Sequence, residues 1–177
     1  MKVLVVYTSK YGSTKEYAEW IGTELGARTM PATEVSESDI SAVDTVIVGG
    51  YLRIGKIVGA DVLQKYWTVL ASKRVVLFSV AGAPAESPER QTWFEKSVPK
   101  EIRSLVRHFP LRGRALNLDL KDRMLLMFPR LMMYLKYWKT GDPKDKAAID
   151  EFKPFDGVRK ESIAPLCAHI RQLNQSS

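Results

Sequence analysis

Apolar positions along the chain switch between two periods, a short continuous run and a helical spacing, and the switches predict its elements. Val3 to Tyr7 (VLVVY) is an unbroken apolar run of strand length. Ser13 to Leu25 then places Tyr17, Ala18, Ile21 and Leu25 at helical intervals, with Gly26 as a C-terminal cap. Ala27 to Ala32 is a weak second strand, and Pro31 assigns it to an edge. Asp44 to Gly50 (DTVIVGG) is a β-branched strand ending in two glycines, and Lys73 to Val80 (KRVVLFSV) is another buried strand. Helices are predicted over Ala60–Ala71 and Pro88–Val106, and a fifth strand around Leu111–Leu116. A last helix, starting between Asp156 and Ser162, buries Ile163, Leu166, Cys167, Ile170 and Leu173. Strands alternating with helices imply right-handed crossovers and an α/β doubly wound, five-stranded parallel sheet with helices on both faces. One domain is expected across 1–177, interrupted by a helical insertion at about 117–155 before the last helix.

That insertion breaks the alternation. Leu120 to Trp138 (LKDRMLLMFPRLMMYLKYW) holds Met124, Met127, Met132 and Met133. Leu120, Met124, Phe128, Leu131, Leu135 and Trp138 form one helical stripe, which Leu125, Leu126, Met133 and Tyr134 widen almost all round. Pro129 is expected to kink the helix or start a second one. Arg130 and Lys136 interrupt a run already too short to span a bilayer. Lys121, Arg123, Arg130, Lys136 and Lys139 beside Met, Leu, Tyr and Trp fit three uses: membrane-surface contact with anionic lipid through 120–138, a homo-oligomer surface, or a hairpin packed on the chain itself. A polar turn is expected from Thr140 to Lys146, and Cys167, on the last helix's apolar stripe, reads as an inert core thiol.

Composition narrows the function classes. The net charge of +7 and pI near 9.5 favour anionic partners. One cysteine and two distant histidines, His108 and His169, supply neither a disulfide framework nor a zinc site. The N-terminal apolar run is too short for a signal peptide, so a cytoplasmic location is expected, with a peripheral one at the inner face of the membrane if the insertion meets lipid. No nucleic-acid motif accompanies the basic charge, so no nucleic-acid partner is expected.

The candidate chemistry lies in three loops leaving the carboxyl ends of the first, third and fourth strands. Thr8, Ser9, Lys10, Tyr11, Gly12, Ser13 and Thr14 offer short hydroxyls and backbone N–H groups at a helix start, a site for a phosphate dianion. Ser13 as N-cap with Glu16 closing a capping box is the structural alternative. The loop is neither a Walker A motif nor a G-x-G-x-x-G fingerprint. It resembles the phosphate loop of flavodoxins, which hold FMN, and that resemblance implies the flavodoxin-like strand order 2-1-3-4-5. On that resemblance the other loops hold the ring: Gly50, Tyr51, Leu52, Arg53, Ile54 and Gly55 on one side, Ala81, Gly82 and Ala83 on another. Tyr51 is the stacking candidate, and glycines 49, 50, 55 and 82 let backbone approach a flat ring. Acidic residues needed by a phospho-receiver are missing from the ends of strands one and three.

Within the flavodoxins the chain resembles the menaquinone-dependent protoporphyrinogen IX dehydrogenases. The residues carrying this are Thr8–Thr14, the Gly49-Gly50-Tyr51-Leu52-Arg53-Ile54-Gly55 segment, and the Asp122-Arg123-Met124 start of a basic, Met/Leu-rich insertion before Gly141. Ile54 and Lys56 depart from that family's pattern. The resemblance implies oxidation of protoporphyrinogen IX, a step of heme biosynthesis, with electrons passing from FMN to a quinone. Arg53, Lys56, Arg112 or Arg114 would pair the propionates of such an anionic substrate. No protein catalytic group and no metal is called for. Two other readings remain: an FMN electron carrier or NAD(P)H:quinone reductase serving another redox partner, and a flavin-free interaction scaffold.

Overall fold

The computed structural model describes residues 2–116, 119–143, 146, 149 and 155–175, with Arg123, Leu125, Leu126, Phe128, Pro129 and Asn174 described by backbone alone. Their sheet includes β1 (Val3–Tyr7), whose Val3 to Val6 are buried on both faces, as its continuous apolar run requires. Around it lie β2 (Arg28–Pro31), β3 (Thr45–Arg53), β5 (Arg74–Ala81) and β6 (Val106–Arg112), parallel and in the order β2-β1-β3-β5-β6. The five parallel strands therefore stand in the predicted order. A sixth strand, β4 (Lys56–Val58), pairs antiparallel with the end of β3, so Tyr51–Val58 is a hairpin and not the open loop expected.

The fifth parallel strand lies at 106–112, upstream of the expected 111–116. Pro110 hides it in the sequence, yet an edge strand needs only one ladder and tolerates the missing donor. Helix α1 (Ser13–Leu25) matches expectation, ending on left-handed Gly26. A short α2 (Glu37–Ser41), capped reciprocally by Ser36 and Asp39, was not expected. The helix predicted at 60–71 is two pieces, α3 (Asp61–Lys65) and α4 (Trp67–Leu70), joined at Tyr66. The one predicted at 88–106 stops early as α5 (Glu89–Ser97), because Val98 is extended before Pro99, and resumes as α6 (Lys100–Arg103). A 3-10 turn (Lys160–Ile163) leads into α8 (Ala164–Gln175).

Helices cover both faces. Val5, Ile47, Val76 and Phe78 pack with Tyr17, Ala18 and Ile21 of α1 and Leu166, Cys167 and Ile170 of α8. Leu4, Val6, Val48 and Leu77 pack on the other face with Ile40, Leu63, Leu70, Phe94 and Ile102 from α2 to α6.

The described residues form two compact units, 1–113 with 158–177, and 114–157. The second is built on α7 (Leu120–Thr140), which starts on Asp119, whose carboxylate accepts from the Asp122 N–H at 2.7 Å, and ends on left-handed Gly141. An Arg114–Asp156 ion pair at 3.3 Å and an Ala115 N–H to Phe155 carbonyl bond at 2.9 Å join the ends of this unit. Position 129 does not start a second helix: α7 runs through it, since one proline removes one rung of a ladder that Leu and Met neighbours support. The stripe reading for Phe128, Leu125 and Leu126, and Lys144 and Asp145 of the polar turn, lie outside the described residues. No described helix is long and apolar enough to cross a membrane.

Candidate functional site

The site begins where β1 ends. The Thr8 N–H donates to the Gly49 carbonyl at 2.8 Å, so the first loop opens from the carboxyl edge of the sheet beside β3. Gly12 then turns left-handed, at φ 88, immediately before α1, a conformation that disfavours any other residue. Its N–H donates to the Ser9 hydroxyl at 3.2 Å and its carbonyl accepts from the Glu16 N–H at 2.9 Å. The Ser13–Glu16 capping box does not form, because Gly12 holds the cap position and Ser13 is already helical. Ser13 and Thr14 are 6% and 1% exposed. Neither side chain makes a hydrogen bond to another described residue. The first N–H groups of α1 have no helical carbonyl four residues back, so amides and short hydroxyls lie together at this helix start. The Lys10 ammonium lies 5.0 Å from the Tyr11 ring centre, a cation–π contact.

The second loop is stiffened into the β3–β4 hairpin. Arg53 pairs with Lys56, leaving Ile54 (φ 49) and Gly55 (φ 70) as a two-residue turn with both φ positive. A β-branched residue in that region is a true outlier, and Ile54 is also 74% exposed. The Ile57 N–H donates to the Ser97 hydroxyl at 2.8 Å, which donates onward to the Trp93 carbonyl at 2.6 Å. The turn after β4 closes on the first loop: a side chain at Gly59 would meet Thr8 at 2.9 Å. Strand alternation puts Tyr51 and Arg53 on the α1 face of the sheet and Leu52 on the other. Gly49 and Gly50 have their space taken by protein, since a Cβ there would lie 2.2 Å from the Phe78 ring and 2.4 Å from the Val58 carbonyl.

The third loop, Ala81 to Ala83 and onward to Glu86, is organised by a residue the sequence did not single out. Arg90, on α5, is 3% exposed. Its guanidinium donates to the carbonyls of Ser79, Ala81, Ala83, Pro84 and Leu111. Burial, with Arg112 nearby, pushes its pKa down to about 10 against an opposing pull from Glu86, so it stays charged at neutral pH. Beside it His108 shares a 2.8 Å hydrogen bond with Ser79 and stacks on Phe94, ring centres 4.6 Å apart. Burial first, then Arg90, pushes the imidazole down to about 4. A cleft of about 470 Å³ opens between α5 and β6, with Glu86, Arg107 and His108 in its wall.

The three loops thus leave neighbouring strands at one edge, with Tyr51 level with Val80 and Ala81 level with Arg112. Arg112 ends β6 in the first unit; Arg114 belongs to the second, where it pairs with Asp156. Gly59, Arg90, Trp93 and Ser97 complete the frame. Only Gly59 carried a hint, as a glycine just past a β-branched pair. Among the described residues no His, Cys, Asp and Glu cluster could hold a metal, and burial pushes the Cys167 thiol up to about 11.

Residues 4–147 match the family described as flavodoxin domain. The chain belongs to that family. Among solved structures it is similar to flavodoxin 2 from Bacillus cereus, at 20% identity over 69% of this chain and 90% of that one, TM-score 0.47. It is similar to a flavodoxin, WrbA-like protein from Agrobacterium tumefaciens, at 18% identity over 68% and 87%, TM-score 0.47. The Trp repressor binding protein from Bacillus subtilis aligns at 12% identity over 70% and 94%, TM-score 0.48. No curated protein matches the chain.

Proposed function

We propose that the protein is an FMN-dependent oxidoreductase. The observation that carries this reading is the start of α1: Ser13 and Thr14, largely buried residues whose hydroxyls bond no other described residue, behind a left-handed Gly12, at the positive end of a 13-residue helix. Such a cradle suits a terminal phosphate ester, so the residues present fit the mononucleotide. When bound, FMN supplies the electron- and hydride-accepting ring, leaving the protein to bind and orient it. Tyr51 and Arg53, on the α1 face, and Ala81–Ala83, fixed by Arg90, are the residues that would hold that ring.

The finer reading is oxidation of protoporphyrinogen IX with a quinone as acceptor. Two exposed cations at the hairpin, Arg53 and Lys56, support it, since they stand where a carboxylate-bearing substrate would approach. Protein reconstituted with FMN should be reduced anaerobically by protoporphyrinogen and reoxidised by a menaquinone analogue. Arg53→Ala should raise KM for the porphyrinogen about tenfold, the scale of one lost hydrogen bond to a charged group. Reduction by NAD(P)H and not by porphyrinogen would make the chain a quinone reductase or carrier instead. No flavin uptake would leave a scaffold.

A further inference from the structure

Helix α7 turns its apolar stripe outward. At 100° per residue, Leu120, Met124, Met127, Leu131, Leu135 and Trp138 fall within one sector of roughly 100°. Every one of them is exposed, Trp138 at 84%. Asp122, Met133 and Tyr137, on the opposite side, are half-buried. The outward stripe is therefore not the face with which α7 packs. From Leu120 to Trp138 it is about 27 Å long at 1.5 Å per residue, far beyond a scattered surface leucine.

The flanks of the stripe carry positive charge. Lys121 and Lys139 border it on one side and Arg130 on the other, all exposed, with Arg130 against the Tyr134 ring at 5.7 Å. The sole acid of α7, Asp122, lies on the far side. This arrangement selects the occupant. A second copy of the chain would bring these cationic flanks against cationic flanks, an unfavourable pairing. Acidic lipid offers both complements at once: acyl chains for the stripe and headgroup phosphates for its borders.

We propose that α7 is a docking surface for an anionic bilayer, lying in the headgroup boundary with Trp138 and Leu131 inserted and Lys121, Arg130 and Lys139 against lipid phosphates. The helix does not cross the bilayer. Binding of this kind stands independently of the flavin; only its purpose, bringing a redox site to a lipid-soluble acceptor, rests on the reading above.

The full chain should float with vesicles of phosphatidylcholine and phosphatidylglycerol and not with phosphatidylcholine alone, and added salt should release it. Lys121→Gln and Lys139→Gln should each weaken partitioning roughly fivefold, and Leu131→Asp about tenfold or more. Tryptophan emission should shift to the blue on vesicle addition, and Trp138→Phe should abolish most of the shift. Leu131 is exposed, so unchanged thermal melting of Leu131→Asp excludes unfolding as the cause. Equal binding to neutral vesicles, or none to anionic ones, overturns the proposal. So does a dimer in sedimentation equilibrium that Leu131→Asp dissolves, because the stripe then belongs to a second copy. Failure to take up FMN alongside normal flotation would sink the redox reading alone.

Discussion

Single residues at the mouth of the site hold conformations that stability alone does not explain. Ile54 sits in the left-handed region, which costs an L-residue about 1–2 kcal/mol, and buries almost nothing in return. Ile54→Gly should raise unfolding free energy in urea by about 1 kcal/mol, after the greater freedom of glycine in the unfolded chain is subtracted; an unchanged midpoint would mean the turn is relaxed. Arg90 makes the reverse case. Arg90→Lys keeps a charge yet lacks the planar fork reaching several carbonyls, and should cost roughly 1–3 kcal/mol. His108 adds a pH dependence. Its folded pKa, about 4, lies below the ordinary 6.5, so the unfolded chain takes up the proton first. Stability is whole above pH 6.5 and falls by up to about 3 kcal/mol as pH drops toward 4. His108→Gln should flatten that slope in melts across this range. The turn from β1 into α1 was legible because hydroxyls, glycine and a helix start fall together in the seven positions Thr8–Thr14. Arg90 was not: an arginine between Glu89 and Gln91 reads as solvated, and only the fold shows five carbonyls around it.

At the scale of elements, the alternation of apolar runs was enough to find four of the five parallel strands, because buried strands and amphipathic helices differ in period, while their order followed from the flavodoxin resemblance. What escaped were pieces whose local signal was overruled. β4 has three residues and no Asn-Gly turn, so its hairpin read as loop. Pro110 masked β6, and one long helix was read through Val98, where Pro99 forces extension. Close contact between elements also shows in Gly49, where a Cβ would sit 2.2 Å from the Phe78 ring. Gly49→Ala should destabilise the protein by about 1–3 kcal/mol through overpacking. Phe78→Leu in the same chain should recover part of that loss, a positive coupling in a double-mutant cycle that distant sites would not give.

For the whole molecule, the charge of +7 and the flavodoxin fold are separate facts with separate uses. Periodicity announced an apolar stripe in the insertion but carries no information on whether the chain itself buries it; the exposure of α7 shows that its described stripe residues are not buried. The redox account depends instead on the cradle at the head of α1, and the phosphate is the group that distinguishes it. Titration of flavin-free protein with FMN and with riboflavin, followed by quenching of flavin fluorescence, tests it most directly. The account predicts saturable one-to-one binding of FMN, with riboflavin at least about tenfold weaker, the scale of a charge-assisted hydrogen bond lost with the phosphate. Equal affinity for the two, or no quenching by either, would contradict it.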